Sequence, residues 1–273
     1  MYKLINEHGE EYLSEIPGTL GGNKRLGIYG KLDCSSANRW IKKGYYVKDR
    51  VFFLDEETVI KAGYRPCAIC MKNEYDKWKR EQRIIEIDNE IKSCDECSGM
   101  VEKFDTGSTV SVGNKSDIVI LGEAPANNGW RKSGVAWYDE NHNLIPSGIV
   151  LQRLLKLIDY ALEDTCFLEA VKCYPKERKF LKECSSNCKK YLIEQLLALK
   201  PQIVLPLGDV ATRSVIDTKY HKFGDVVGKC FNVNGCDVIP IYHPSPISPL
   251  SYNGNVDIFE GIIKEKVRVL KEN

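Results

Sequence analysis

Four groups of side chains in this sequence stand where they could do chemistry. The run Asp117-Ile-Val-Ile-Leu-Gly-Glu-Ala-Pro-Ala126 places Glu123 just past an apolar stretch that breaks at Gly122. Such a stretch, bounded by turn residues, reads as a buried strand whose C-terminal edge carries chemistry. A second carboxylate, Glu169, lies in Leu168-Glu-Ala-Val-Lys-Cys173, and a histidine, His243, in Tyr242-His-Pro-Ser-Pro-Ile-Ser248. Each follows its own apolar stretch, so a sheet would bring both to the edge that holds Glu123.

The fourth group is thiols. The chain has eleven cysteines, including Cys67/Cys70 and Cys94/Cys97 at Cys-x-x-Cys spacing. That spacing lets two thiolates converge on one ion or cluster from a tight turn. The N-terminal Met1-Tyr-Lys-Leu-Ile-Asn-Glu-His8 has no secretory apolar core, so a cytoplasmic location is expected. In that compartment thiols serve metals rather than disulfides. Four of them, Cys94, Cys97, Cys173 and Cys188, can be assembled from the second half, the last two flanking the basic loop 174–182. Four thiolates suit zinc or a 4Fe–4S cluster alike.

The elements that must position these groups follow from composition and pattern. At 273 residues, 43% hydrophobic and 28% charged, the chain fits one large or two modest domains. A formal net charge of +1 means that any DNA-binding surface is a local patch. No apolar run approaches the roughly 20 residues of a membrane span, so no membrane contact is expected. Residues 1–73 read as a small module in which Gly18, Gly21 and Gly22 mark turns, 50–54 is a strand and 55–63 a helix. It has too few apolar residues for an independent core, which predicts a metal staple. Residues 74–93 read as a helical linker with a solvated face. From 94 to 273, strands at 117–121, 166–171, 202–207, 229–233 and 237–242 alternate with helices at about 149–162, 188–199 and from 256. That alternation predicts a three-layer α/β/α domain with a mostly parallel central sheet. The polar stretch 139–148 reads as a lid or DNA-contacting loop.

Gly-Glu-Ala-Pro at 122–125, Val-Lys-Cys at 171–173, Cys188-x-x-Tyr-Leu, Leu207-Gly-x-x-Ala211 and Tyr242-His-Pro-Ser245 resemble, in order and spacing, the iron–sulfur uracil-DNA glycosylases. The resemblance covers roughly 94–270. It implies an enzyme that flips a pyrimidine out of DNA and hydrolyses its glycosidic bond, and a monomer is expected. It implies a 4Fe–4S cluster on Cys94, Cys97, Cys173 and Cys188, with Cys188 preferred to Cys184 because Lys-Lys-Tyr-Leu follows it. Glu123 would hold water beside the sugar and offset positive charge there, while His243 would donate to O2 of the leaving base. Trp137, or else Tyr138, would stack on the flipped base, with Ala124, Pro125 and Asn127 completing the substrate-binding set. Pro244, Ser245, Pro246, Ile247 and Ser248 would contact DNA, Ser245 clamping phosphate and Ile247 filling the vacated stack.

Gly27-Ile-Tyr, Cys34 and Ala62-Gly-Tyr-Arg-Pro-Cys-x-x-Cys70 resemble the Ada-type zinc-binding domain. Cys34, Cys67 and Cys70 match three of its four zinc ligands, and Gly30 stands where the fourth, the methyl-accepting cysteine, belongs. Methyl-phosphotriester repair is therefore not expected, and Asp33, Asp49 and His8 are the candidates to complete the site.

One departure concerns the base. The glycosylases carry an amide two residues before Val-Lys-Cys, where it reads uracil; here that residue is Glu169. An ionised carboxylate only accepts hydrogen bonds, so it faces uracil O4 unfavourably and a cytosine N4 amine favourably. A protonated one could also donate to N3 of the base. Ala126 and the altered 127–148 loop further suggest a reshaped pocket. A modified cytosine is the expected base, with a role in defence against phages; uracil repair and a non-catalytic DNA sensor are the alternatives.

Overall fold

The computed structural model describes residues 1–103, 107–126 and 129–272, and its contacts divide the chain into two units, Met1–Arg83 and Ile84 onward. In the first unit, β1 (Tyr2–Ile5) and β2 (Glu11–Ser14) form an antiparallel hairpin. A second sheet contains β3 (Leu20–Asn23), β4 (Ile28–Lys31), β5 (Arg50–Phe53) and β6 (Arg65–Pro66), in the order β5-β3-β4-β6. Two short helices accompany it, α1 (Ser35–Lys42) and α2 (Glu56–Lys61). Asp55 caps α2 by accepting from the Thr58 amide at 2.8 Å, and Gly63 follows its end at a φ of +80°.

The core of this unit is small, built on Ile5, Tyr29, Val51, Phe53, Val59 and Met71. Gly21 and Gly22, expected in turns, lie inside β3 instead. A Cβ on Gly22 would come within 2.9 Å of the Phe53 ring and 3.1 Å of the Ile28 carbonyl, so glycine here admits close neighbours rather than turning the chain.

Helix α3 (Lys72–Ser93) covers the stretch expected as a linker. Its second half is not solvated all round: Ile84, Ile87 and Ile91 are buried, and Asp88 accepts from the Thr109 amide and the Ser108 and Thr109 hydroxyls.

The second unit continues through β7 (Val101–Glu102), β8 (Val110–Ser111), β9 (Ile118–Gly122), α4 (Trp130–Ser133), α5 (Pro146–Leu155), β10 (Cys166–Glu169) and β11 (Tyr174–Pro175). It ends with α6 (Leu181–Leu199), β12 (Ile203–Pro206), α7 (Gly208–Val215), β13 (Phe231–Val233), β14 (Cys236–Val238), α8 (Asn253–Ile258) and α9 (Lys264–Glu272). Six strands form one sheet in the order β13-β14-β12-β9-β10-β8. Strands β14, β12, β9 and β10 are mutually parallel, with β13 and β8 antiparallel at the two edges. Every residue of β9, β10 and β12 is buried, as expected for parallel strands covered on both faces. Alternation along β9 sends Ile118 and Ile120 into one core and Val119 and Leu121 into the other. The expected three-layer arrangement is therefore present.

Two helix boundaries differ from the sequence pattern. The helix expected over 149–162 begins at Pro146, the favoured first-turn position for proline, and breaks into single 3-10 turns at Lys156–Ile158 and Leu162–Asp164. Helix α6 starts at Leu181, not 188, which places both Cys184 and Cys188 on it one turn apart.

Candidate active site and metal centres

Strand β9 lies between β10 and β12, so the chain leaves β9 and its neighbours toward opposite faces and a crevice opens at their C-terminal ends. A cavity of about 560 Å³ occupies it, lined by Glu123, Glu169, Gly208, His243 and Ser245 among others. The three chemical groups drawn from separate parts of the sequence thus meet in one pocket. Gly122 makes the meeting close: a Cβ there would stand 3.2 Å from Glu169 Cγ and 3.2 Å from the Phe167 ring.

Glu169 is 8% exposed. Burial pushes its carboxyl up to about 8; the Lys172 ammonium pulls the other way, and the Glu123 charge adds to the rise. At neutral pH the group is therefore mostly a neutral acid, with one O–H donor and one carbonyl acceptor. Lys172 is itself buried and donates to the Glu169 backbone carbonyl.

Glu123 is partly exposed and is gripped at two points by Arg178, with Nη1 to Oε1 at 3.0 Å and Nη2 to Oε2 at 3.3 Å. His243 opens to solvent at the pocket mouth, yet the protein packed around it holds the imidazole below its ordinary value; the Glu123 charge acts in the opposite direction. A neutral imidazole still offers one N–H donor. The backbone that presents it is clamped by the buried Asn255, which accepts from the Tyr242 amide at 2.9 Å and donates to the Tyr242 carbonyl at 2.9 Å. Nothing in the sequence marks Asn255, since the Tyr242 groups it holds are backbone 13 residues away.

Trp137 lines the pocket, packed on Phe167 at 4.4 Å between ring centres, and Trp130 meets the same ring at 5.1 Å. Trp137 holds a φ of +71°, and its buried Nε1 has no hydrogen-bond partner among the described residues. Tyr138 is not among the lining residues; its hydroxyl donates to Glu163 at 3.3 Å. Ala124 lines the pocket, Pro125 does not, and Asn127 lies outside the described residues. Ile145 and Ser147, from the stretch read as a lid, also line it. Downstream of His243, Pro244 is buried, Ser248 turns back to donate its amide to the Ser245 carbonyl at 3.0 Å, and Pro246 and Ile247 project. Ile247 is 92% exposed, an unusual placement for an isoleucine.

Cys94, Cys97, Cys173 and Cys188 line a second cavity, of about 210 Å³, with Lys172 in its wall. Cys184, one turn from Cys188 on α6, is not in that lining but packs in the same buried group as Cys97 and Cys188. The small β7–β11 pair ties the two halves of the cage together, Tyr174 opposite Glu102 and Pro175 opposite Val101. These sulfurs surround a volume rather than converging on a point, which fits a cluster better than a single ion.

The N-terminal thiols differ. Cys34, Cys67 and Cys70 place their sulfurs within 4.8 Å of one another, with Cys34 and Cys67 at 3.9 Å. Tetrahedral zinc with bonds of about 2.3 Å needs sulfurs about 3.8 Å apart, so the donor set fits that ion. Lys31 donates its amide to Cys70 Sγ at 3.3 Å. None of Asp33, Asp49 or His8 joins this group, and no other His, Asp or Glu among the described residues does. Gly30 abuts it: a Cβ there would lie 2.6 Å from Cys70 Sγ.

An α/β unit with a carboxylate, an imidazole and a buried acid at a sheet switch point defines a hydrolase-type crevice. Comparison with known proteins makes it particular. The profile of the uracil DNA glycosylase superfamily matches residues 110–264. A type-4 uracil-DNA glycosylase of Archaeoglobus fulgidus is 30% identical over 179 residues, covering 61% of this chain and 83% of that protein. One from Saccharolobus solfataricus is 28% identical over 200 residues, covering 68% and 84%. A type-5 uracil-DNA glycosylase of Pyrobaculum aerophilum is 30% identical over 144 residues, covering 48% and 62%. The chain belongs to the uracil DNA glycosylase superfamily, and its enzyme class is DNA glycosylase. Among the described residues no helix is long and apolar enough to cross a membrane.

Proposed function

We propose that this glycosylase acts on a pyrimidine flipped out of DNA, and that its preferred base is a 5-modified cytosine, in defence against DNA that carries such bases. The observation that carries this reading is the buried, raised-pKa carboxyl of Glu169 in the pocket. Its carbonyl oxygen matches the cytosine N4 amine, and its O–H matches N3, where a proton makes cytosine a better leaving group. The uracil reading is supported by the relatives named type-4 uracil-DNA glycosylase. A neutral acid can serve there too, accepting from N3–H and donating to O4.

In either case water beside Glu123 gives a proton to that carboxylate as it adds to C1′, the glycosidic electron pair leaves on the base, and the N–H of His243 stabilises the departing anion. Trp137 faces the base, Ser245 meets phosphate and Ile247 enters the stack. A 4Fe–4S cluster held by Cys94, Cys97, Cys173 and Cys188 pins the loops around the DNA, and zinc on Cys34, Cys67 and Cys70 staples the Ada-like N-terminal unit.

The test of the base is a side-by-side rate measurement on strands carrying uracil or a 5-modified cytosine. Wild type is expected to favour the modified cytosine. Glu169→Asn should shift the ratio toward uracil by tenfold or more, since one matched buried hydrogen bond is worth about 1–3 kcal/mol. The O–H donor is present below the Glu169 pKa of about 8 and lost above it, so wild-type excision should decline as pH rises through that value. Glu169→Asn should lack that decline. Efficient uracil excision by wild type, with every modified cytosine ignored, would make this a uracil repair enzyme.

The metals have their own test. Anaerobically purified protein should contain about four irons and one zinc per chain. Cys188→Ala should lose the iron while Cys184→Ala keeps it, since Cys188 lines the cavity and Cys184 does not. Cys67→Ala should lose zinc alone. Two zincs and no iron would reject the cluster.

A further inference from the structure

The Glu123 carboxylate does not stand alone in the crevice, and its partner lies in a segment that none of the motifs covers. Arg178 lines the active-site cavity and presents its planar fork to both oxygens of Glu123, at 3.0 and 3.3 Å. Two parallel N–H donors on one carboxylate fix its rotation as well as its place, which a single point charge cannot do. Arg178 is five residues past Cys173, and the intervening chain is held in register. Tyr174 and Pro175 pair with Glu102 and Val101, and the Lys176 amide donates to the Met100 carbonyl at 2.9 Å. Met100 in turn donates its amide to the Cys97 carbonyl at 3.0 Å. On either side of Arg178 the charges are engaged elsewhere: Lys179 pairs with Glu177 at 2.8 Å and also lies over the Phe180 ring. The far end of Glu123 is fixed by backbone, its carbonyl accepting from the Val171 amide at 3.0 Å.

We propose that Arg178 is a positioning residue for the reaction, acting through Glu123. The loop that leaves the thiol cage carries Arg178 to Glu123, so the cage sets the orientation of the carboxylate that holds the attacking water. This rests on the reading of Glu123 as the water-holding group. It assigns the cage a second consequence beyond holding DNA-contacting loops. A guanidinium 78% exposed would contribute little as an isolated surface ion pair; its effect here is on the geometry of its partner.

The experiment uses full-length protein purified anaerobically, with Arg178→Ala, Arg178→Lys, Glu123→Gln and the Arg178→Ala/Glu123→Gln double variant. Single-turnover excision at saturating DNA, DNA dissociation constants and the visible absorbance of the metal centre are measured for each. Arg178→Ala should slow the saturated step by about 10–100-fold with the absorbance retained. Arg178→Lys, which keeps the charge and loses the fork, should recover only part of that rate. In the Glu123→Gln background, removing Arg178 should cost less than threefold, because two residues that act through one another are not additive. A residue that only contacts phosphate would give the opposite pattern: unchanged saturated rates, weaker binding, a salt slope lowered by about one and full additivity. That result would overturn the proposal. If Arg178→Ala loses the absorbance, Arg178→Lys with retained absorbance decides, and a wild-type rate in it would also overturn the proposal. Wild-type protein without excision on any pyrimidine strand would instead defeat the reading of Glu123 itself.

Discussion

His243→Ala is expected to slow single-turnover excision by about 10²–10³-fold, the scale for removing one donor from a developing anion. The protein packed around the imidazole holds it below its ordinary value, which favours the uncharged form with one N–H available. As the glycosidic bond breaks, negative charge grows on the departing base, and a donor already in place needs no reorganisation to meet it. Its placement is rigid, since Asn255 holds both polar groups of the preceding residue, Tyr242, and Ser248 closes the turn behind it. DNA affinity should change little, because phosphate contacts dominate binding. His243→Gln retains an N–H and should recover part of the loss. Rates on the preferred strand, compared with dissociation constants for the same strand, check this. Equal rates for wild type and His243→Ala would remove the imidazole from the reaction.

The sheet was legible because its strands are apolar on both faces and end in turn residues, so 117–121 and 202–207 read as buried parallel strands. The edge that gathers Glu123, Glu169 and His243 was legible for the same reason: each sits just past or at the end of such a run. Contacts that depend on packing were not. Gly21 and Gly22 read as turn residues by type, but both lie inside a strand, and Gly22 lets Phe53 and the next strand approach, which only the sheet register reveals. The burial of Ile84, Ile87 and Ile91 was hidden by the many charges around them, which made α3 look solvated. Arg178 sat in plain view in a basic loop, but nothing local distinguishes it from Lys176 or Lys179; the distinguishing fact is the pairing of β11 with β7, which orients the loop. Phe167 and Trp130 were missed because aromatic residues in an apolar strand or a short helix signal core equally well. The choice of Cys188 over Cys184 was carried by the residues that follow it; both pack in one buried group with Cys97, and Cys188 is the one that lines the cavity.

The other large effect expected is at Glu123. Replacement by Gln keeps the shape and removes the charge, and should lower the saturated excision rate by about 10²–10⁴-fold, the range for a positioned acid–base group. Two contributions are lost together. The amide no longer accepts a proton from water at the sugar, and the positive charge that grows at C1′ loses the nearest anion. Affinity for DNA should hold or tighten, because a negative group leaves a surface that meets phosphates. Glu123→Ala goes further and opens space beside Arg178, whose fork is then without its carboxylate. Formate added to that variant supplies a carboxylate of the right size at the right place, so its rate should rise with formate concentration, while Glu123→Gln, which has no space, should not respond. A second readout follows His243. The Glu123 charge is what draws the imidazole upward against the protein packed around it, so in Glu123→Gln its pKa should fall further below the ordinary value than in wild type, measurable by the pH dependence of its ring resonances. A Glu123→Gln enzyme with wild-type rates would place the water-holding role on another residue. An unmoved His243 would mean that the two groups do not share the crevice as the geometry places them.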